Sequence, residues 1–167
     1  KLEEGTPFAK TPERFADEET QREAYLMAVG LLAEAGYQAY ELSNFALEER
    51  FWSRHNLKYW RCQEVLGLGP SAHSFWQGER VFRPRDLERY LRGDSLLQPD
   101  GHGGGREEEI LLGLRLAEGI PLAWVADRQP LIDQLEAAGL LRRKDSRIAL
   151  TPEGFLVSNS IIAKLLR

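Results

Sequence analysis

Five glycines (Gly93, Gly101, Gly103, Gly104, Gly105) and Pro99 fall between Gly93 and Gly105. Glycine carries the largest backbone entropy cost on folding, and proline removes a ladder donor, so this stretch resists both helix and packed strand. It constrains the fold more than any other feature because it divides the chain. Residues 1–95 read as one unit, 96–105 as a Gly-rich linker and 106–167 as a second unit. The single cysteine, Cys62, excludes an internal disulfide, a zinc cage and a four-cysteine iron–sulfur site. Set between Arg61 and Gln63, it is expected to pack as a small hydrophobe. No apolar run approaches the roughly 20 residues that cross a bilayer. The formal net charge of -4 removes any bulk attraction to nucleic acid or anionic membrane. The chain opens at Lys1 without a signal-peptide pattern and as though an element had just ended, so its start reads as a cut in a longer, cytoplasmic protein.

Before the glycines the pattern is α/β. Asp17-Glu18-Glu19 opens a helix with Tyr25, Val29, Leu32 and Ala33 on one face, and Gly36 supplies a left-handed stop. Tyr37–Ser43 is expected as a buried strand and Glu64–Leu66 as a second, short one. Between them lies an irregular segment rich in aromatics (Phe45, Phe51, Trp52, Tyr59, Trp60), of the kind that builds sites. Phe75–Phe82 reads as a hairpin turning at Gln77-Gly78-Glu79, followed by a helix through Leu87, Tyr90 and Leu91. After the glycines come helices over Glu107–Glu118, Leu122–Asp127 and Pro130–Ala138. A hairpin turning at Lys144-Asp145-Ser146 follows, and then a closing helix that starts at Thr151-Pro152 and runs through Leu165. That order is winged-helix-like.

Several motifs invite chemistry. Gly67-Leu68-Gly69-Pro70-Ser71-Ala72 fits the loose dinucleotide pattern, but the residues after it look extended, so no helix N-terminus is there to hold a pyrophosphate. The better reading is a loop whose glycines let backbone come close to a ligand or a neighbouring strand. His102-Gly103-Gly104-Gly105 resembles an esterase oxyanion hole without the Gly-x-Ser-x-Gly elbow that such chemistry needs. Arg142-Arg143-Lys144 and Arg147 would decorate a wing, but Glu107, Glu108, Glu109, Glu118, Asp127, Asp133 and Glu136 offset them, so no nucleic acid is expected as a partner. His55-Asn56-Leu57-Lys58-Tyr59-Trp60 remains. An imidazole between flat aromatics can ligate an iron beneath a macrocycle, or it can hold a loop by hydrogen bonds; on residue types alone the structural role is the commoner. His73, at a strand end in a glycine loop, faces the same choice.

Three segments together, Tyr40–Ala46, Arg54–Trp60 and Leu66–Ser74, resemble the HemW family of heme chaperones, radical-SAM proteins related to the oxygen-independent coproporphyrinogen III oxidases. Leu112–Ile120 and Leu150–Gly154 resemble that family's C-terminal domain. The resemblance implies an α/β fold: the last strands and helices of a partial (β/α) radical-SAM barrel, then the winged-helix-like unit. It implies heme contact by His55, as the iron ligand, and by Asn56 and Tyr59, with Trp60 completing an aromatic wall. It places Gly67, Gly69, Ala72 and His73 on a loop bordering the cofactor pocket. It implies a 4Fe–4S cluster and S-adenosylmethionine in the full-length protein; their Cys-x3-Cys-x2-Cys motif is not in this sequence, so no catalytic residue is expected in this chain. The implied partners are heme or a porphyrin and a heme-accepting protein. The alternative is that the full-length protein is itself an oxidase that decarboxylates coproporphyrinogen III. Two departures stand out: Ser71 occupies a position where the family has glycine, and Arg61-Cys62-Gln63 replaces a more glycine-rich stretch.

Overall fold

The computed structural model describes residues 5–11 and 14–167, and the reading of the chain's first residues, Lys1–Glu4, falls outside them. The chain is mixed α/β, and every strand pair among the described residues is antiparallel. Helix α1 (Glu18–Glu34) starts where expected, with the Asp17 carboxylate accepting from the Thr20 N–H at 2.7 Å. It ends at Ala35, and Gly36 follows with φ 85°. Tyr25, Val29 and Leu32 are half-buried, whereas Met27 and Leu31 stand 65% and 59% exposed.

The strand expected over Tyr37–Ser43 is shorter. Only β1 (Gln38–Ala39) forms, because the chain folds back within a few residues to pair with β2 (Phe45–Ala46). The Glu41 carboxylate holds that turn by accepting from the Ser43 N–H at 3.2 Å. Glu64–Leu66 contributes a single bridge, Val65 to Phe75, with both N–H···O bonds at 2.9 Å. The next hairpin, β3 (His73–Trp76) and β4 (Glu79–Phe82), turns at Gln77 and Gly78, both with positive φ, as a type I′ turn requires. Helix α3 (Leu87–Arg92) is capped by Asp86 and stopped by Gly93 at φ 79°.

In the segment expected as a linker, Gln98–His102 forms a strand, β5, on the outer edge of β4. All five of its residues are exposed, so no alternating pattern marks it; backbone pairing creates it, and Pro99 is tolerated there as on an edge.

Beyond the glycines come α4 (Arg106–Gly113), β6 (Ile120–Pro121), a 3-10 stretch Leu122–Arg128 kinked at Val125, and α5 (Gln129–Ala137). Strands β7 (Leu141–Lys144) and β8 (Arg147–Leu150) turn at Asp145–Ser146, and β6 adds to β8 as an unforeseen third strand. The single closing helix is two: α6 (Pro152–Leu156) and α7 (Ser158–Leu165), broken where Val157 leaves helical geometry at φ -117°.

The main core lies in this second half. Leu114, Ile120, Ile132 and Ile148 are 0–1% exposed at its centre, with Phe155 and Ile162 packed against them. A smaller core gathers Tyr40, Ala46 and Leu57 from the first half around Leu116 from the second.

Candidate functional site

The motif His55–Trp60 is a helix. In α2 (Arg54–Trp60) the Ser53 hydroxyl accepts from the Asn56 N–H at 3.3 Å, which is the usual N-cap bond. Ser53 is itself fixed, because its N–H donates to the Tyr40 hydroxyl at 3.2 Å. Leu57 is the one buried residue of α2 and anchors it to the smaller core. That anchor decides what faces out. His55 and Tyr59, one turn apart, lie on the exposed side, with their rings edge to face at 5.0 Å and 81°. The contact limits the rotamers of the imidazole, and His55 remains exposed. Asn56 is half-buried, and its recorded bond is the backbone one to Ser53. Trp60 turns the other way, into the junction with the second half, where its indole N–H is buried without a hydrogen-bond partner.

The glycine loop is built from close approach. A Cβ on Gly67 would sit 2.2 Å from the His73 carbonyl oxygen, and the Gly67 N–H donates to the Ser74 hydroxyl at 2.9 Å. Gly69 has φ 102° and accepts from the Ala72 N–H at 3.3 Å. Ala72 in turn accepts from Arg83 at 2.9 Å. His73 lies on the exposed side of β3, stacked on Phe82 at 5.5 Å, with its Nδ1 3.1 Å from the Asp100 carboxylate on β5. His55 and Tyr59 are thus together on α2, while Gly67, Gly69, Ala72 and His73 are together on the loop; each histidine has its own neighbours. Asp100 went unnoticed in the sequence because it belongs to β5, which no pattern marks.

Both departures from the family pattern take the backbone that glycine would take. Ser71 has φ 61° and Cys62 has φ 49°. Burial, more than the nearby Glu108, pushes the Cys62 thiol up, so it is a poor thiolate. Among the described residues no group of three His, Cys, Asp or Glu side chains could hold a metal ion. With Cys62 as the only cysteine, this chain's residues do not fit a 4Fe–4S cluster. A heme is less demanding, since one accessible imidazole is enough for axial ligation. No helix of the described residues is long and apolar enough to cross a membrane.

Comparison with known proteins agrees with the motifs. The HemN C-terminal domain family matches residues 106–157. The heme chaperone HemW of Mycobacterium tuberculosis is 30% identical over 177 residues, covering 99% of this chain and 45% of the relative. HemW of Bacillus subtilis is 27% identical over 167 residues, covering 89% and 43%. Radical S-adenosyl methionine domain-containing protein 1, mitochondrial, of Bos taurus is 29% identical over 202 residues, covering 99% and 44%. The chain therefore spans a little under half the length of the curated relatives it matches. Among solved structures, the radical-SAM enzyme coproporphyrinogen III oxidase (HemN) of Escherichia coli shares the fold, with a TM-score of 0.57 at 15% identity over 90% of this chain and 42% of that one. The motif order, the domain match and the similarity along nearly the whole chain converge on the C-terminal portion of HemW-like proteins, with a match to the HemN C-terminal domain over residues 106–157.

Proposed function

We propose that this chain is the heme-receiving part of a heme chaperone, and that it binds heme through α2 before the heme passes to an acceptor protein. The observation that carries the reading is the exposed His55–Tyr59 pair, one turn apart on a helix whose other side is anchored by Leu57. His55 is the iron ligand, Tyr59 lies against the macrocycle, and Asn56 holds the first turn through its bond to Ser53. An exposed imidazole whose rotamer is limited by a neighbouring ring loses little entropy on ligation. The relatives named as heme chaperones support the same reading.

The radical-SAM cluster and S-adenosylmethionine belong, in this reading, to residues outside this sequence. The loop of Gly67, Gly69, Ala72 and His73 borders their pocket. Residues 1–95 are the last part of the barrel; because the strands described here pair only antiparallel, the parallel neighbours of such a barrel would come from elsewhere in the protein. The order of α4, the 3-10 stretch, α5, the β7–β8 hairpin and the closing helices supports a winged-helix-like unit over 106–167. The oxidase alternative rests on a fold likeness and assigns no reacting group to this chain.

The test is a heme titration followed by Soret absorbance on the protein and on His55→Ala. A saturable Soret shift that the variant loses is expected. Undiminished binding by the variant returns His55 to a structural role. No binding by either form overturns the reading, and detection of decarboxylated porphyrinogen with the full-length protein would replace it by the oxidase.

A further inference from the structure

A cavity of about 180 Å³ lies where α2 meets the second half of the chain, behind the face that carries His55 and Tyr59. Two indoles, Trp60 and Trp124, line it. Its floor includes Leu116, Ile120 and Pro121. Four charged side chains reach it: Arg61, Arg147, Glu109 and Glu118. Their commitments differ. Arg61 is paired with Glu118, Nε to Oε1 at 3.2 Å and Nη2 to Oε2 at 3.3 Å. Glu109 is held by Arg106 at 3.2 Å. Both carboxylates of the cavity are therefore neutralised. Arg147 instead donates its Nε and Nη2 to the backbone carbonyls of Glu118 and Gly119, at 2.9 and 2.5 Å, which fixes the guanidinium and leaves its charge unbalanced. The Trp60 indole N–H is buried at this junction without a hydrogen-bond partner.

We propose that this cavity is a binding site for a small planar aromatic carboxylate. The indoles offer flat apolar walls for a single ring. The fixed Arg147 offers a cation for the carboxylate. Size limits the ligand: a cavity of about 150 Å³ holds a benzene ring, whereas drug-sized ligands take about 300 Å³ or more. The site is therefore too small for a tetrapyrrole and is separate from the heme surface; the inference does not rest on heme binding. Because Trp60 ends α2 and Arg61 caps it, while the other lining residues come from the second half, an occupied cavity clamps α2 against the C-terminal domain.

The test is a titration of the ¹⁵N-labelled protein with benzoate, reading the four tryptophan indole N–H resonances. Saturable shifts of Trp60 and Trp124 are expected, with Trp52 and Trp76 unmoved. Benzyl alcohol, which keeps the ring and loses the charge, is expected to bind at least about tenfold more weakly, and inorganic phosphate to move neither resonance. Arg147→Gln is expected to weaken benzoate at least about tenfold. If that variant loses the spectrum of the folded protein, Trp60→Leu decides: it removes one of the two flat walls and should weaken benzoate several-fold as read at Trp124. Absence of a saturable shift overturns the proposal. So does equal binding of benzoate and benzyl alcohol, or full affinity in Trp60→Leu.

Discussion

Gly119 and Gly139 both have left-handed backbones, with φ 62° and 72°, but they are held there for different reasons. A Cβ on Gly139 would meet open space, so Gly139→Ala faces only the left-handed penalty, about 1–2 kcal/mol. A Cβ on Gly119 would stand 1.8 Å from the Ile148 carbonyl oxygen, at the point where β6 joins β8. Backbone cannot swing aside as a side chain can, so Gly119→Ala must push β6 off the sheet and lift Ile120 out of the core. Urea unfolding should therefore show Gly119→Ala losing roughly 3 kcal/mol or more and Gly139→Ala roughly half of that or less. Equal losses would mean that the contact at Ile148 relaxes easily. At the same scale, the exposure of His55 and Tyr59 could not be read from residue types. It follows from Leu57, whose burial depends on Tyr40, Ala46 and Leu116, and these lie distant in the sequence.

At the scale of the element, what could be read in advance was what local chemistry decides. Thr151-Pro152 announced a helix start, and the Thr151 hydroxyl does accept from the Gly154 N–H at 3.1 Å. The turns at Gln77–Gly78 and Asp145–Ser146 and the stop at Gly36 were legible for the same reason. What could not be read was decided by partners. Strand β5 exists because β4 offers it an edge, β6 because β8 does, and the break at Val157 lets α6 and α7 both turn apolar residues to one core. The Thr151 hydroxyl also donates to the Gly139 carbonyl at 2.7 Å, tying the α6 start to the α5 end. Thr151→Ala removes both bonds and should cost about 1–2 kcal/mol, measured as a shift of the urea midpoint with unchanged slope. Thr151→Ser keeps the hydroxyl and should recover most of that loss; if it does not, the methyl packing and not the cap is what matters.

At the scale of the molecule, the two halves are unequal partners. The second half holds a core of its own, centred on Ile132 and Ile148, whereas the first half's small core is completed by Leu116 from across the junction. Backbone reinforces that contact: the Ala117 N–H donates to the Tyr40 carbonyl at 3.1 Å, and Glu41 bridges to Leu116. An ion pair, Arg80–Glu108 at 2.6 Å, adds to it with both side chains about three-quarters buried, so it is less screened than a surface pair. The candidate heme helix therefore depends on the C-terminal domain for its footing, while the larger core of that domain takes Leu42 from the first half among the described residues. Leu116→Ala empties the shared core and should remove about 2–5 kcal/mol from the first half. In amide hydrogen exchange, Leu57 and Ala117 are then expected to exchange at least about tenfold faster, while Ile132 and Ile148 stay near their original rates. The dependence of the first half on Leu116 also predicts a functional trace, a weaker Soret response to heme in the same variant even though His55 and Tyr59 are untouched. If all four amides accelerate alike, the chain is one cooperative unit, and the C-terminal domain is held by the first half as firmly as it holds it.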